Sequence, residues 1–145
     1  MQVAEILKGK GDQVATIKPD DSITEAVIML ADMGVGALVV SQDGRSIDGI
    51  VSERDVVRSL AKGGASAALT NPVSSIMTAE VTTCAPTDRV GHLMGLMTEH
   101  RIRHIPVSVD GGLGGIISIG DVVKCRLAEL KDEAKLMEEY IHHGR

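Results

Sequence analysis

The sequence predicts a mixed α/β fold built from two copies of one β-α-β-β-α unit. The decapeptide GIVSERDVVR at residues 49–58 recurs as GIISIGDVVK at residues 115–124. The similarity extends upstream, where residues 14–19 align with residues 81–86 at an offset of 67. Within each copy, short aliphatic runs alternate with stretches in which apolar residues have helical spacing. Similarity at a nearly fixed offset over most of a chain indicates a tandem repeat.

Each element of the first copy has a local signal. A short strand is expected before Pro19, and Ser22 with Glu25 three residues later forms a capping box that begins a helix. The runs GALVV at residues 36–40 and IDGIVS at residues 47–52 are typical of two strands joined by a turn. The second copy repeats this order, so the same strands and helices are expected there.

The two copies end differently. The helix that follows Ser52 is expected to stop at Gly63, because paired glycines commonly terminate helices. Its counterpart in the second copy is predicted to continue to Tyr140 or beyond. Apolar residues recur there at alternating steps of four and three, namely at positions 123, 127, 130, 134, 137 and 141. Such a seam packs either onto its own domain or against another subunit, and the sequence leaves both open.

A linker is expected between the copies, in the segment GGASAALTNP at residues 63–72, because glycine, alanine and proline are frequent in it. The predicted domains are therefore residues 1–70 and residues 71–145, and the second carries the longer last helix.

Composition disfavours several classes of protein. A net charge of −5 and an aromatic content of 1% argue against nucleic acid as a partner, which needs cationic surface and stacking side chains. No apolar run is long enough to span a membrane. Cys84 and Cys125 are isolated, so no metal site is expected, and the N-terminus lacks a signal-peptide pattern. A reducing cytoplasm is the expected compartment.

The repeated Ser-x-x-Asp has two interpretations. Ser52 with Asp55, and Ser118 with Asp121, can each form a capping box at a helix start, which requires no ligand. A helix N-terminus also attracts anions through its free N–H groups, and a carboxylate one turn in can accept hydrogen bonds from two ribose hydroxyls. The two roles are compatible, since a carboxylate offers several lone pairs.

This order of elements closely resembles a CBS-domain pair, a module named for cystathionine β-synthase. The resemblance rests on the duplicated motif G-h-h-S-x-x-D-h-h, where h is aliphatic, and on the strand RIRHIPV at residues 101–107. It covers nearly the whole chain, and it implies two repeats related by a pseudo-twofold axis with two clefts that bind adenosyl compounds. AMP is the first expectation, and ADP, ATP, NAD(H) and S-adenosylmethionine are the alternatives.

The resemblance also implies which residues form the two clefts. The resemblance implies that Asp55 and Asp121 bind the ribose. Ser52 and Ser118 are implied to be the hydroxyls at the helix starts, and Ile50 and Ile116 to face the base. The wall opposite Asp121 is implied to comprise Ala15, Val35, Gly36 and Ala37, and the wall opposite Asp55 to comprise Thr82, Thr83, Ile102, Arg103 and His104.

Cationic residues make the two clefts unequal. Arg103 and His104 have no cationic counterpart in the first copy, and Arg54 is replaced by Gly120 in the second. These side chains are expected either to neutralise ligand phosphates or to be ordinary exposed charges, and His104 is expected to titrate near neutral pH. A phosphorylated ligand is therefore expected in the cleft beside these cations, and a less charged or longer ligand in the other.

The sequence contains no zinc-type spacing, no HExxH and no phosphate-loop motif, so no enzyme and no metal cofactor are expected. The expected function is a regulatory nucleotide-binding module that forms a homodimer and acts on a separate target protein. The alternatives are a structural homodimerisation module, in which Ser-x-x-Asp only caps helices, and an enzyme with a nucleotide substrate.

Overall fold

The computed structural model describes residues 1–144 and has the predicted mixed α/β architecture in two repeats. Arg145, the end of the second predicted domain, lies outside the described residues. In chain order the helices are α1 (Val3–Lys10), α2 (Ile23–Met33), α3 (Glu53–Gly63), α4 (Ala65–Thr70), α5 (Val90–His100) and α6 (Ile119–His143). The strands are β1 (Thr16–Ile17), β2 (Ala37–Val40), β3 (Gly49–Ser52), β4 (His104–Val109) and β5 (Gly112–Ser118), and Val73–Ser75 forms a short 3₁₀ turn.

Each half contains a small sheet. In the first half, β1 lies parallel to β2, and β2 pairs with β3 in antiparallel fashion. In the second half, β4 and β5 form an antiparallel hairpin. The short strand expected before Pro86 is reduced to Cys84, which pairs with Val107 in an isolated parallel bridge.

The missing strand has a cause in the sequence. In the first half, the Val39 N–H donates to the Ala15 carbonyl at 3.2 Å and extends the ladder between β1 and β2. The residue 67 positions later is Pro106, which has no N–H to donate. The ladder of the second half therefore cannot continue back to Thr82.

The segment that leads into each half packs against the other half. Val3 of α1 is fully buried in the core of the second half, and its amide donates to the Asp88 carbonyl at 2.9 Å. Val73 is fully buried in the core of the first half, and its amide donates to the Asp21 carbonyl at 2.7 Å. Asp21 and Asp88 occupy the same place in the repeat, so the two halves exchange equivalent segments.

The first glycine of each motif makes room for this exchange. A β-carbon on Gly49 would lie 2.6 Å from the sulfur of Met77, and one on Gly115 would lie 2.7 Å from Leu7 Cδ2. The two segments that lead into the halves, VAEIL at residues 3–7 and VSSIM at residues 73–77, resemble each other, and Leu7 and Met77 are their equivalent last residues. We call them the lead-in segments. The motif therefore begins with glycine because a side chain from the opposite lead-in occupies the space of its β-carbon.

The predicted linker contains a helix, which corrects the sequence-based expectation. Its alanines favour helix, and the side chain of Ala68 in α4 is buried. The Leu69 carbonyl accepts a hydrogen bond from the Thr24 hydroxyl at 2.8 Å, which joins α4 to α2. The boundary between residues 1–70 and residues 71–145 stays a prediction.

The last helix is as long as predicted and leaves most of its seam exposed. Val122 and Cys125 are buried against the second half, whereas every residue from 131 to 144 is exposed. The seam residues 123, 127, 130, 137 and 141 are 47% to 68% exposed. Within residues 1–144, no helix has both the length and the hydropathy to cross a bilayer.

Candidate ligand-binding site

The two Ser-x-x-Asp motifs form the predicted capping boxes, each where a strand runs directly into a helix. The Ser52 hydroxyl accepts from the Asp55 amide at 3.4 Å, and Asp55 Oδ2 accepts from the Ser52 amide at 2.8 Å. The corresponding distances between Ser118 and Asp121 are 3.2 and 2.9 Å. Each box fixes its carboxylate in the first turn of a helix.

Both carboxylates retain capacity for a further donor. Asp55 Oδ2 accepts the Ser52 hydroxyl at 3.0 Å in addition to the amide, and Asp121 Oδ2 accepts the Ser118 amide and a lysine. Among residues 1–144, no donor reaches Oδ1 of either aspartate. A carboxylate oxygen has two lone pairs, so each site can accept a ligand hydroxyl without breaking its box.

A lysine distinguishes Asp121 from Asp55. Lys10, the last residue of α1, places Nζ 2.6 Å from Asp121 Oδ2 and 3.0 Å from the Ile116 carbonyl oxygen. Burial raises the pKa of Asp121, but hydrogen bonds from Lys10 and Ser118 outweigh burial and lower that pKa below its usual 3.8. Asp121 is therefore a carboxylate at neutral pH, with a cation already bound.

Asp55 instead lines a cavity of about 400 Å³ between α3, α4 and the 3₁₀ turn. Arg58 and Lys62, one and two turns further along α3, line the same cavity, with Asn71 opposite. The volume falls within the range of small-molecule sites. A carboxylate and two cations in one cavity suit a ligand that carries both hydroxyl and anionic groups.

His104 lies where the two halves meet. It faces Ser118 across the hairpin, and a β-carbon on Gly36 would lie only 3.2 Å from its Cε1. Burial lowers the pKa of His104 below 6.5, and Lys10 lowers it further, against the opposing effect of Glu53. The expectation that His104 titrates near neutral pH is therefore corrected, because a half-buried imidazole beside a cation stays neutral there.

This lowered pKa predicts how stability depends on pH. The charges that act on His104 are Lys10, Glu53, Asp121 and Arg103. Because the folded imidazole binds protons more weakly than the unfolded one, the free energy of unfolding should decrease as pH falls below about 6.5 and level off above it. Urea titrations from pH 8 to pH 5 measure this slope. The variant His104→Gln should have a flatter slope, and an unchanged slope would contradict the assignment.

Two of the remaining predicted residues, Gly36 and Arg103, are held by backbone hydrogen bonds. The Gly36 carbonyl accepts the Glu53 amide at 3.0 Å, and the Arg103 carbonyl accepts the Ile119 amide at 2.8 Å. Each of these wall residues is thus joined to the helix start of its own half. Exposed members of the predicted set are Arg54, Thr83, Arg103 and Gly120, half-buried members are Ala15, Val35, Gly36, Ile50, Thr82, Ile102, His104 and Ile116, and Ala37 is buried.

The cavity beside Asp55 differs from the one predicted. Within the described part of the chain, its lining does not include Thr82, Thr83 or residues 102–104. Their assignment to an Asp55 cleft stays a prediction.

Sequence reasoning missed three cations at the site. Arg58 and Lys62 follow Asp55 at helical spacing, so the sequence already put them on one face of α3. Lys10 had no such signal, because it lies 111 positions from Asp121 and reaches it only through the packing of α1.

Two further chemistries are relevant to the site, namely metal binding and nucleophilic attack by the Cys84 thiol. No cluster of His, Cys, Asp or Glu side chains there could hold a metal ion. Burial and the nearby Asp88 carboxylate raise the pKa of the Cys84 thiol to about 12. Cys84 is therefore a packing residue and not a nucleophile at neutral pH.

Comparison with known proteins finds the same pair of repeats elsewhere. A family model described as CBS domain matches residues 3–62 and again residues 73–128. The mitochondrial CBS domain-containing protein CBSX3 of Arabidopsis thaliana is 37% identical over 150 residues, which covers 98% of this chain and 72% of that protein.

Solved structures agree in fold. A CBS-domain containing protein of Agrobacterium tumefaciens is 44% identical and superposes with a TM-score of 0.84, over 87% of this chain and 99% of that one. A CBS domain protein of Pyrobaculum aerophilum, solved as a complex with AMP, is 30% identical with a TM-score of 0.73, over 83% of this chain and 89% of that one.

Proposed function

The chain belongs to the CBS-domain family, and on that premise we propose that it is a regulatory module without catalytic activity that binds adenine nucleotides at Asp55 and Asp121. The observation that carries the proposal is the pair of Ser-x-x-Asp boxes. Each holds a carboxylate at a helix start, and no group of residues 1–144 bonds its Oδ1. AMP is the first ligand to test, because the related protein of Pyrobaculum aerophilum was solved with AMP.

The chemistry of both sites suits a nucleoside. Two adjacent ribose hydroxyls can donate to the two oxygens of one carboxylate, as a bidentate donor does. Ile50 and Ile116 precede the boxes on β3 and β5, are half-buried and offer aliphatic surface to a base. In the Asp55 cavity, Arg58 and Lys62 are the cations that would neutralise a phosphate.

Binding would regulate through the relation between the two halves. Because α1 and the 3₁₀ turn cross between the halves, a ligand at either helix start touches the segment that joins it to the other half. A ligand shifts such an equilibrium only by its difference in affinity for the two arrangements. We propose that a separate target protein responds to that shift.

Substituting both aspartates tests the proposal. AMP at about 100 times its Kd should raise the free energy of unfolding of the unmodified chain by about 2.7 kcal/mol for each occupied site. Asp55→Asn and Asp121→Asn should each weaken their own site at least tenfold, since a hydrogen bond to a charged group contributes about 1.5–3 kcal/mol. The double variant should lose the AMP-dependent stabilisation, as measured by calorimetry and thermal melts.

Asp132→Asn, an exposed carboxylate of α6, is the matched control and should bind AMP like the unmodified chain. If AMP, ADP, ATP, NAD(H) and S-adenosylmethionine all leave the melting temperature unchanged, the boxes only cap helices and the chain is a structural module. Conversion of a nucleotide during incubation, above a heat-inactivated control, would instead make it an enzyme.

We also propose that two copies associate through α6. The seam at residues 123, 127, 130, 137 and 141 faces away from the core of its own domain and is 47% to 68% exposed. Every residue from 131 to 143 is exposed, and most of the stability of a protein helix comes from packing of its apolar face, so a partner helix along the seam would stabilise this end of α6.

A reducing compartment such as the cytoplasm is the proposed location. Cys84 and Cys125 are both free and both buried, which fits a chain that is not stabilised by disulfides. The relative from Arabidopsis thaliana is named as mitochondrial, and fractionation of cells distinguishes the two locations.

A further inference from the structure

Lys10 occupies the polar groups that the proposed function reserves for a ligand at Asp121. Its ammonium contacts Asp121 Oδ2 at 2.6 Å and the Ile116 carbonyl at 3.0 Å. The side chains of Lys10 and Asp121 are only 33% and 22% exposed, so this ion pair is less screened by water than an ordinary surface pair. A cation of the chain therefore lies in the place of a ribose.

The equivalent position in the first half has no such cation. The Ile50 carbonyl, the counterpart of the Ile116 carbonyl, accepts the Thr78 amide at 2.9 Å, and the Ile50 amide donates to the Thr78 carbonyl at 3.0 Å. Within residues 1–144, Asp55 takes part in no ion pair. A ligand at Asp121 therefore meets a carboxylate that already binds a cation, whereas a ligand at Asp55 does not.

A ribose at Asp121 has to displace Lys10 from Oδ2. Two hydroxyls that bind one carboxylate use both of its oxygens, and Oδ2 already accepts the Ser118 amide and Lys10. The displaced ammonium stays near the site, because the α1 residues Val3 and Leu7 are packed into the core of the second half. Displacement is unfavourable unless the ammonium finds another anion.

We propose, on the basis of the function proposed above, that Lys10 makes the Asp121 site selective for adenosyl ligands with a phosphate attached to the ribose. A phosphate enters with the sugar and gives the displaced ammonium a new partner. Adenosine offers none, and S-adenosylmethionine carries a net positive charge, because its sulfonium and ammonium groups outnumber its one carboxylate. On this proposal the ligand of Asp121 is a nucleotide, which agrees with the longer of the two ligands expected there from the sequence and not with the less charged one.

Titration in the Asp55→Asn background isolates this site. AMP, adenosine and S-adenosylmethionine are titrated by calorimetry into that variant and into the same variant with Lys10→Met. With Lys10 present, AMP should bind at least about tenfold more tightly than adenosine. With Lys10→Met, AMP should weaken by about tenfold while adenosine and S-adenosylmethionine bind more tightly, so the preference disappears.

Two further variants control the experiment. Lys8→Met removes an exposed lysine from the same helix and should keep the preference for AMP. Lys10→Arg retains the positive charge and should also retain the preference for AMP. The test therefore does not depend on whether Lys10→Met lowers stability.

The outcomes separate this inference from the proposed function. Equal changes for AMP and adenosine in Lys10→Met, or no change in either, overturn the role of Lys10 while nucleotide binding stands. If the three compounds bind to the unmodified chain but not to the Asp55→Asn variant, the role of Lys10 is also overturned, because Asp121 then binds no ligand. If no compound binds to any variant or to the unmodified chain, the proposed function itself fails.

Discussion

A single added methyl group at Gly49 or Gly115 is expected to destabilise the protein, although alanine is normally the better residue within a strand. At Gly49 the new β-carbon would lie 2.6 Å from the Met77 sulfur and 3.0 Å from the Thr78 carbonyl oxygen. The Met77 side chain can move, but the Thr78 carbonyl is fixed by its hydrogen bond with the Ile50 amide. Gly115→Ala would press on Leu7 at 2.7 Å and push α1 outward.

The expected loss follows from overpacking. Inserting a methyl group into a well-packed site costs about 1–3 kcal/mol, and we expect about 2 kcal/mol at each position, because at Gly115 the backbone φ of 157° adds strain to the contact with Leu7. For a chain of this length, that corresponds to a decrease in Tm of roughly 6 °C. Urea denaturation and thermal melts measure both quantities.

Gly91→Ala adds the same methyl group where nothing lies within 4 Å of it, on α5. Alanine there should raise the free energy of unfolding by about 0.5–1 kcal/mol, because glycine is unfavourable inside a helix. If all three variants shifted stability in the same direction, the close approach of the lead-in segments would not be the reason for the glycine in each motif.

Short-range signals predicted most of the fold. The helices that begin after Ser22, Ser52 and Ser118 start where their capping boxes placed them, because such a box involves residues only three apart. The glycines at positions 63 and 64 ended α3 as expected.

Long-range contacts account for what the sequence did not reveal. The exchange of lead-in segments depends on which core their apolar residues pack into. The resemblance between residues 3–7 and 73–77 does not indicate whether that core belongs to the same half or to the other one. The contact of Lys10 with Asp121 depends on that exchange, so it could not be predicted either. The loss of the strand before Pro86 could have been predicted. Pro106 is visible in the sequence at the position whose N–H donates to the neighbouring strand in the first copy, and proline has no N–H.

Leu127→Asp is expected to abolish self-association through α6. Leu127 is the second residue of the seam and is 55% exposed in the single chain. Burying a leucine side chain contributes about 1.5–3 kcal/mol, and a carboxylate in its place would be desolvated without a partner. We expect the dissociation constant of the homodimer to rise at least about 100-fold, as the two effects together exceed 2.7 kcal/mol. Sedimentation velocity at micromolar concentration measures the change.

Ala128→Asp introduces the same charge one residue further along, on an exposed face of α6 that points away from the seam. This variant should remain dimeric, because its carboxylate stays in water in either arrangement. If Leu127→Asp and Ala128→Asp both leave the sedimentation coefficient unchanged, either the chain is monomeric or another surface joins the copies. If both variants become monomeric, charge on α6 acts by a route other than the burial of the seam, because only one of the two positions lies on it.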